Sequence, residues 1–101
     1  MPFVARYPRE IAPGTRVSAM ALNLDFAATF LDFAGVEAPE PTQGRSLRPL
    51  MRDQTPSDWR TSMYYRYWMH RASFNVYAHY GVRTDRHKLI YYYGEALGAS
   101  P

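Results

Sequence analysis

The 101-residue sequence contains no cysteine, and this absence excludes several classes of protein. Disulfide-stapled folds, zinc sites with cysteine ligands and thiol nucleophiles all need a residue that the chain does not have. Long apolar runs are missing too, since no stretch approaches the roughly 20 apolar residues of a membrane-spanning helix. Residues 1–10 include Pro2 and Pro8 and no apolar segment, so the sequence predicts neither a membrane span nor a signal peptide.

Motifs that mark a self-contained catalytic site are also absent. The sequence has no glycine-rich phosphate loop, no closely spaced pair of histidines and no Gly-x-Ser-x-Gly nucleophile motif. Its nine acidic residues are scattered, mostly in predicted linkers, caps and turns, so spacing identifies no acid and base pair. The residues therefore predict no catalytic residue and no metal ligand in this chain.

Lysine is nearly absent as well, because Lys88 is the one basic residue that is not arginine, and the formal net charge is +3. Arginine presents a planar fork that binds sulfate, phosphate or carboxylate through two hydrogen bonds. A small positive excess is also an ordinary feature of a soluble surface. Charge alone therefore leaves anion binding and simple solubility both open.

Apolar and aromatic residues are plentiful, at 47% and 16% of the chain, which is not the composition of a disordered segment. The first half predicts a strand at residues 3–7, where apolar and basic residues alternate before Pro8. Residues 44–51 predict a turn and a short helix that directs three apolar side chains inward: Leu47, Leu50 and Met51.

Between these elements the apolar spacing predicts a helix that ends at Gly35. One side of this helix carries three aromatic residues: Phe26, Phe30 and Phe33. Either Ser18 or Asp25 begins the helix, and Asp25 is favoured because its carboxylate would accept from the free N–H groups of the first turn.

The composition changes near residue 57, where a domain boundary is predicted between residues 1–57 and 58–101. Tyrosine-rich and β-branched segments after the boundary predict three strands, at residues 62–68, 76–84 and 88–93. The short connection around Asp85 fits a hairpin turn, in which Asp85 bonds its own backbone. The second half therefore predicts a small antiparallel sheet followed by a loose tail at residues 94–101.

Histidine and arginine lie among the aromatic residues of this second half. Residues 67–71 lead into a loop, and His79, Tyr80 and Arg83 lie on the next strand. Aromatic faces with arginine and histidine beside them can hold a sugar ring and its anionic substituent. Ordinary sheet packing explains the same tyrosines, so these residues alone leave both interpretations open.

Four blocks of the sequence resemble type I sulfatases and occur in the same order as in that family. They are residues 2–8 (PFVARYP), 23–35 (NLDFAATFLDFAG), 43–47 (QGRSL) and 79–90 (HYGVRTDRHKLI). A fifth segment, residues 64–70 (YYRYWMH), is similar to bacterial sulfatases that act on carbohydrate sulfate esters. The chain is thereby identified as resembling the C-terminal portion of a sulfatase.

The resemblance implies part of an alkaline-phosphatase-like α/β fold. Residues 1–57 would supply one strand and helix of the large domain, and residues 58–101 the small C-terminal antiparallel sheet. Family members use a formylglycine, made from the first residue of a Cys/Ser-x-Pro-x-Arg motif, and a calcium ion. Neither Ser18 nor Ser46 lies in that motif, so we expect no calcium site, no formylglycine and no turnover in this chain alone.

The resemblance also implies a sulfated small molecule or glycan as the substrate partner. Three positions carry over as expected substrate contacts: His70, Arg71 and His79. Family members are usually secreted, periplasmic or lysosomal, and the sequence itself predicts no compartment.

Two other interpretations remain open. A basic aromatic module without catalysis would bind an anionic glycan or nucleic acid, but acids interleave with the bases and no RNA-binding sheet motif occurs, so no nucleic acid partner is predicted. Alternatively, the helix face formed by Phe26, Phe30 and Phe33 binds the remaining part of a sulfatase or a second copy of the chain.

Overall fold

The computed structural model describes residues 2–94, and the chain divides into two compact units, Met1–Trp59 and Arg60–Pro101. The first unit contains helices α1 (Asp25–Phe33) and α2 (Arg48–Met51). The second contains an antiparallel sheet of three strands in the order β1 (Ser62–Tyr67), β2 (His79–Thr84) and β3 (Lys88–Tyr92). Apart from Gly94, the predicted tail lies outside the described residues. The assignment of residues 1–57 and 58–101 to two sulfatase subdomains stays a prediction.

The strand predicted at residues 3–7 does not form in the described part of the chain. A strand needs a neighbour that bonds its N–H and C=O groups, and no described segment pairs with residues 3–6 in this way. The apolar side chains pack on α1 instead. The ring of Phe3 lies 5.1 Å from that of Phe26, and the ring of Tyr7 lies 5.1 Å from that of Phe33.

Helix α1 begins at Asp25, as favoured from the sequence, but the predicted capping role of this residue is wrong. The preceding residue, Leu24, already has helical dihedral angles and makes no side-chain cap. The fully buried carboxylate of Asp25 accepts hydrogen bonds from the backbone N–H groups of Leu22, at 2.8 Å, and Arg45, at 2.9 Å. Asp25 thus joins the start of the helix to a loop 20 residues further along the chain.

A second buried polar residue, Thr29, completes this junction. Its hydroxyl donates to the Asp25 carbonyl at 2.7 Å and accepts from the Leu47 N–H at 2.9 Å. Gly44 makes the close approach possible, because a Cβ at this position would lie 1.9 Å from the Leu24 carbonyl oxygen. Hydrogen bonds therefore hold the loop before α2 against α1, and the absence of a side chain at position 44 lets the two backbones approach this closely.

The C-terminal end of α1 follows the sequence prediction. Gly35 adopts a left-handed conformation with φ of 70°, which glycine reaches without steric cost. Its N–H donates to the Asp32 carbonyl, and the Val36 N–H donates to the Leu31 carbonyl. These two bonds form a Schellman motif, so the helix ends where the sequence predicted.

The apolar core of the first unit is small. Leu47, Leu50 and Trp59 form its buried centre, with Met51 packed against it. The inward orientation predicted for the apolar residues of α2 is confirmed. The Trp59 indole N–H donates to the Met20 carbonyl at 2.9 Å, which satisfies the one polar group of the side chain.

The aromatic side of α1 is only partly covered. Phe26 and Phe33 are half-buried, whereas Phe30 is 72% exposed. Beside them lies an apolar groove of about 630 Å³ that residues 2–7 help to line. Association of another chain through this side of the helix stays a prediction.

Ion pairs tie the loop at residues 7–11 to both helices. Glu10 accepts from Arg48 at 2.6 Å and from Arg52 at 2.7 Å. Arg48 also pairs with Asp32 at 2.9 Å, and the Ser46 hydroxyl donates to the same carboxylate at 2.6 Å. The Arg48 hydrogen bond, with help from Arg52, lowers the pKa of Glu10 from 4.5 to about 2. The Ser46 hydrogen bond, followed by Arg48, lowers the pKa of Asp32.

The predicted antiparallel sheet and its hairpin are confirmed, with shorter strands. Strand β2 begins at His79 rather than at residue 76, because the backbone groups before it have other partners: the Val76 carbonyl accepts from Arg71, and the Ala78 N–H donates to the His70 ring. The hairpin loop is organised by Thr84, whose hydroxyl accepts from the N–H groups of residues 86 and 87. Asp85 was expected in that role.

None of the helices within residues 2–94 is long and apolar enough to cross a membrane.

Replacing Asp25 by alanine is expected to destabilise the chain by about 2–4 kcal/mol, because two N–H groups lose a charged acceptor inside the protein. Urea unfolding measures this change in free energy. Glu37→Ala is the control: Glu37 is exposed, and its loss is expected to change stability by less than about 0.5 kcal/mol. Equal effects of the two substitutions would contradict a structural role for the buried carboxylate.

The stability of the chain is expected to decrease in acid. Because the pKa of Glu10 is about 2 in the folded chain against an ordinary 4.5, its contribution is complete above pH 4.5. That contribution is lost as the pH falls from about 4.5 towards 2, where Glu10 becomes protonated in the folded state too. Unfolding measured at several pH values should show this slope, and Glu10→Gln should reduce it. An unchanged slope in the variant would rule out Glu10 as its source.

Candidate functional site

The three residues predicted to contact substrate surround one tyrosine of the second unit. The ring of His70 lies 5.3 Å from the Tyr77 ring, and the Arg71 guanidinium carbon lies 5.8 Å from it. His79 contacts the backbone of the same residue, since its Nδ1 lies 2.7 Å from the Tyr77 carbonyl oxygen. The fold therefore gathers His70, Arg71 and His79 around Tyr77.

His70 is fixed by its backbone neighbours. Its Nδ1 accepts from the Ala78 N–H at 3.2 Å, and an N–H group can only donate. The neutral ring must then carry its proton on Nε2. Gly94 lies against the same ring, because a Cβ added there would be 2.5 Å from Cε1 of His70. Position 94 thus requires glycine if the imidazole is to stay in place.

His79 has the opposite tautomer. A carbonyl oxygen only accepts, so Nδ1 must donate to Tyr77, and the neutral ring keeps a lone pair on Nε2. Three tyrosine rings surround the imidazole: Tyr67 stacks at 5.4 Å, Tyr65 makes an edge contact at 5.8 Å, and Tyr92 lies at 5.1 Å. Gly81 leaves room for Tyr65, whose ring is 3.0 Å from where a Cβ would be.

Arg71 lies in a tight loop between β1 and β2. Its N–H donates to the Val76 carbonyl at 2.9 Å, and its Nε donates to the Asn75 side chain at 3.4 Å. Both Arg71 and Asn75 have φ of 50°, an uncommon conformation for residues with a side chain. The loop holds this conformation through hydrogen bonds at both ends, which sets the direction of the exposed guanidinium.

Two buried polar atoms in this region have no hydrogen-bond partner among the described residues: the Tyr67 hydroxyl and Nε2 of His70. An unpaired buried polar group costs roughly 1–3 kcal/mol, so each such group needs an explanation. One unpaired atom belongs to a residue predicted to contact substrate. Chemically, the region offers a donor on His70, an acceptor on His79 and a cation on Arg71.

Within residues 2–94 no three side chains of histidine, aspartate or glutamate come together as a metal site.

Sequence reasoning missed the residues that position the site. Tyr77 has an ordinary neutral side chain and Gly94 has none, and only their contacts with His70 reveal their role. Tyr67 stands out in the sequence as part of residues 67–71, but its contact with His79 is not predicted from it. Alternation along β1 is the one local signal that could have paired Tyr67 with His79, and the register does place them opposite each other.

Comparison with known proteins identifies the family. Residues 1–98 match the family described as N-sulphoglucosamine sulphohydrolase, C-terminal. The chain belongs to this family and therefore represents the C-terminal region of a sulfatase, as the sequence resemblance predicted.

Individual relatives agree with this assignment. The chain is 48% identical over 97 residues to N-acetylglucosamine-6-O-sulfatase of Bacteroides thetaiotaomicron, covering 94% of this chain and 17% of the relative. An ulvan-active sulfatase of Formosa agariphila is 38% identical over 52 residues, covering 52% of this chain and 10% of the relative.

A solved structure, described as a complex with its substrate D-glucosamine-2-N,6-O-disulfate, superimposes with a TM-score of 0.83 at 49% identity. The match covers 89% of this chain and 19% of that chain. This similarity confirms the predicted alkaline-phosphatase-like fold class and the similarity to bacterial carbohydrate sulfatases. The chain spans less than a fifth of the length of these relatives.

Replacing His79 by phenylalanine is expected to destabilise the sheet by about 1–3 kcal/mol, because the Tyr77 carbonyl loses its donor while the ring contacts are kept. Amide hydrogen exchange along β2 measures this local change. His87→Phe is the matched control, since His87 is exposed in the hairpin loop. Unchanged protection of β2 in His79→Phe would mean that the bond to Tyr77 contributes nothing.

Proposed function

We propose that this chain supplies the substrate-side surface of a sulfatase that acts on a sulfated glucosamine-type sugar, and that His70, Arg71 and His79 contact the sugar. The substrate class comes from two similar proteins, one named N-acetylglucosamine-6-O-sulfatase and one solved with D-glucosamine-2-N,6-O-disulfate. The residue assignment rests mainly on one observation, the unpaired Nε2 of His70 in a buried position.

The two histidines suit complementary contacts with a sugar. In this proposal the buried Nε2–H of His70 donates to a sulfate or hydroxyl oxygen, and the lone pair on Nε2 of His79 accepts from a sugar hydroxyl. Because the second nitrogen of each ring is already bonded to the backbone, neither ring can turn without breaking a hydrogen bond. The donor and the acceptor are therefore presented in fixed directions, which lowers the entropy lost on binding.

Arg71 supplies the charge that these rings lack. A sulfate group carries a permanent negative charge, and guanidinium binds such oxyanions through charge-assisted hydrogen bonds. No described carboxylate lies within ion-pair distance of Arg71, so this charge remains available to an anionic ligand.

Bond cleavage belongs, in this proposal, to residues outside the described part of the chain. Hydrolysis of a sulfate ester needs a positioned nucleophile and cationic groups that stabilise charge on the transferring oxygens. In the family these roles fall to formylglycine and calcium, and residues 2–94 contain no cluster of three histidine, aspartate or glutamate side chains that could hold a metal ion. The chain alone is therefore assigned binding and no turnover.

Titration of the full chain with D-glucosamine-2-N,6-O-disulfate tests the residue assignment. His70→Asn keeps an acceptor near Nδ1 for the Ala78 N–H but removes the Nε2 donor, and it is expected to weaken binding by about tenfold or more. Arg71→Gln is expected to do the same through loss of charge. Calorimetry or chemical shift changes measure the affinity.

The matched controls are His87→Asn and Arg86→Gln, because both residues are exposed in the hairpin loop. Equal affinities for His70→Asn and His87→Asn would overturn the assignment of His70. Release of inorganic sulfate by the chain alone would contradict the division between binding and cleavage.

A further inference from the structure

A second cluster of aromatic side chains lies on the face of the sheet opposite His79. In the β1–β2 register Tyr67 pairs with His79 and Arg66 pairs with Tyr80, and side chains of adjacent residues in a strand point to opposite faces. Arg66, Tyr80 and Tyr91 therefore share the second face, since Tyr91 pairs with Tyr80 on β3. We call this face the Arg66 face.

Arg66 is surrounded by aromatic rings. Its guanidinium carbon lies 3.9 Å from the Trp68 ring centroid, 5.0 Å from that of Tyr93 and 5.9 Å from that of Tyr80. Tyr64 and Tyr91 extend the cluster, with rings 6.2 Å and 5.3 Å from that of Tyr80. Stacking uses the flat faces of a guanidinium, and a hydrogen bond to Tyr93, with a smaller contribution from Tyr64, raises the pKa of Arg66. A guanidinium has five N–H donors, so these two hydroxyls leave donors on its edge for an anion.

The charge of Arg66 has no carboxylate partner within residues 2–94. Aromatic rings orient a guanidinium but do not neutralise its charge. Three arginines do pair with carboxylates: Arg45 with Asp58, and Arg48 and Arg52 with Glu10. Among residues 2–94, Arg66 is thus a cation without a carboxylate partner at the centre of an aromatic surface.

This surface is open. Trp68 is 71% exposed, Tyr64 60% and Tyr91 58%, so several large rings lie in contact with solvent around one cation. Exposed aromatic groups in a contiguous patch mark a binding surface rather than ordinary surface composition. An apolar protein segment laid over the patch would bury the Arg66 charge without a partner, which is strongly unfavourable. The occupant must therefore bring its own negative charge.

We propose that the Arg66 face is a second sugar-binding site, which takes a sulfated sugar ring with the sulfate on Arg66 and the ring stacked on Trp68 or Tyr80. The apolar side of a sugar ring packs on aromatic faces, and the sulfate accepts from the arginine edge. The choice of sulfated sugars as the ligand class rests on the proposed function. The site itself is separate, because it lies on the other face of the sheet from His79.

The two tryptophans provide a direct test in the unmodified chain. Trp68 is exposed in the proposed site, whereas Trp59 is buried and donates its indole N–H to Met20. Titration with D-glucosamine-2-N,6-O-disulfate should shift the indole N–H signal of Trp68 and leave that of Trp59 in place. Unsulfated glucosamine at the same concentrations should shift it much less. An unmoved Trp68 signal at saturating sugar would overturn the proposal.

Substitution on opposite faces gives the second test. Arg66→Gln should weaken the affinity reported by Trp68 by about tenfold or more. Arg83→Gln is the matched control, since Arg83 is also exposed on the sheet but pairs with Met63 on the other face. An equal loss of affinity in both variants would mean that the effect comes from the overall positive charge of the chain, and it would overturn the proposal. The proposal would also be overturned if light scattering showed that the chain is a dimer and that Arg66→Gln dissociates it, because the Arg66 face would then bind a second copy of the chain.

Failure of this proposal is distinguishable from failure of the proposed function. His70→Asn should not alter the affinity reported by Trp68, whereas Arg66→Gln should not alter the signals around His70. A Trp68 shift that survives in His70→Asn would support the Arg66 face even if the assignment of His70 failed. If His70→Asn abolished the Trp68 shift, the sugar would bind at a single site that includes His70, and the proposal of a separate site on the Arg66 face would be overturned.

Discussion

Few apolar side chains of this chain are buried, so hydrogen bonds from buried polar side chains to the backbone determine where its loops lie. In the first unit, Asp25 holds the segment before α1 and the loop before α2 through two backbone N–H groups. Thr29 repeats the connection one turn further along the helix. A core centred on Leu47, Leu50 and Trp59 could form with several loop paths, and these bonds select one of them.

Histidines perform the same task in the second unit. His70 and His79 bond to consecutive residues, Ala78 and Tyr77, and so fix the chain where it enters β2. When one nitrogen of an imidazole ring is hydrogen-bonded to the backbone, the direction of the other nitrogen is fixed as well. The contacts that stabilise this segment therefore also determine which way the second nitrogen of each ring points. In the proposed site, structure and binding would depend on the same residues.

Sequence reasoning succeeded where the controlling contacts are local. The glycine that ends α1, the apolar residues of α2 and the hairpin between β2 and β3 depend on neighbours within a few positions. It failed where the partner is distant or missing. Asp25 looked like a cap because its bond to Arg45, across 20 residues, leaves no trace in local spacing. Apolar and basic residues alternate along residues 3–7 as they do in a strand. Alternation reflects how side chains pack, however, and a strand also needs a neighbouring segment that bonds its backbone.

The candidate site was predictable only in part for the same reason. His70, Arg71 and His79 came from family resemblance, whereas Tyr77 and Gly94, which hold His70 in place, have no chemical signature of their own. The Arg66 face was hidden because its tyrosines read as ordinary strand formers. Alternation places them on one face, but only the fold shows that no carboxylate within residues 2–94 pairs with Arg66.

If the proposed site binds substrate, its unpaired buried groups would influence which substrate is used. A site that offers a donor inside the protein pays the desolvation of that donor whenever the ligand lacks a matching acceptor. Discrimination of this kind is much stronger than discrimination by apolar size, because the mismatched ligand leaves the protein group without a partner. The Nε2 of His70 and the hydroxyl of Tyr67 are both in that condition. A sugar with oxygens near both atoms would give each of them a hydrogen-bond partner. A sugar that lacks one of these oxygens would leave one buried group unpaired. Selectivity for the position of the sulfate would then follow from the orientation of His70, and so from the backbone bond that fixes its ring.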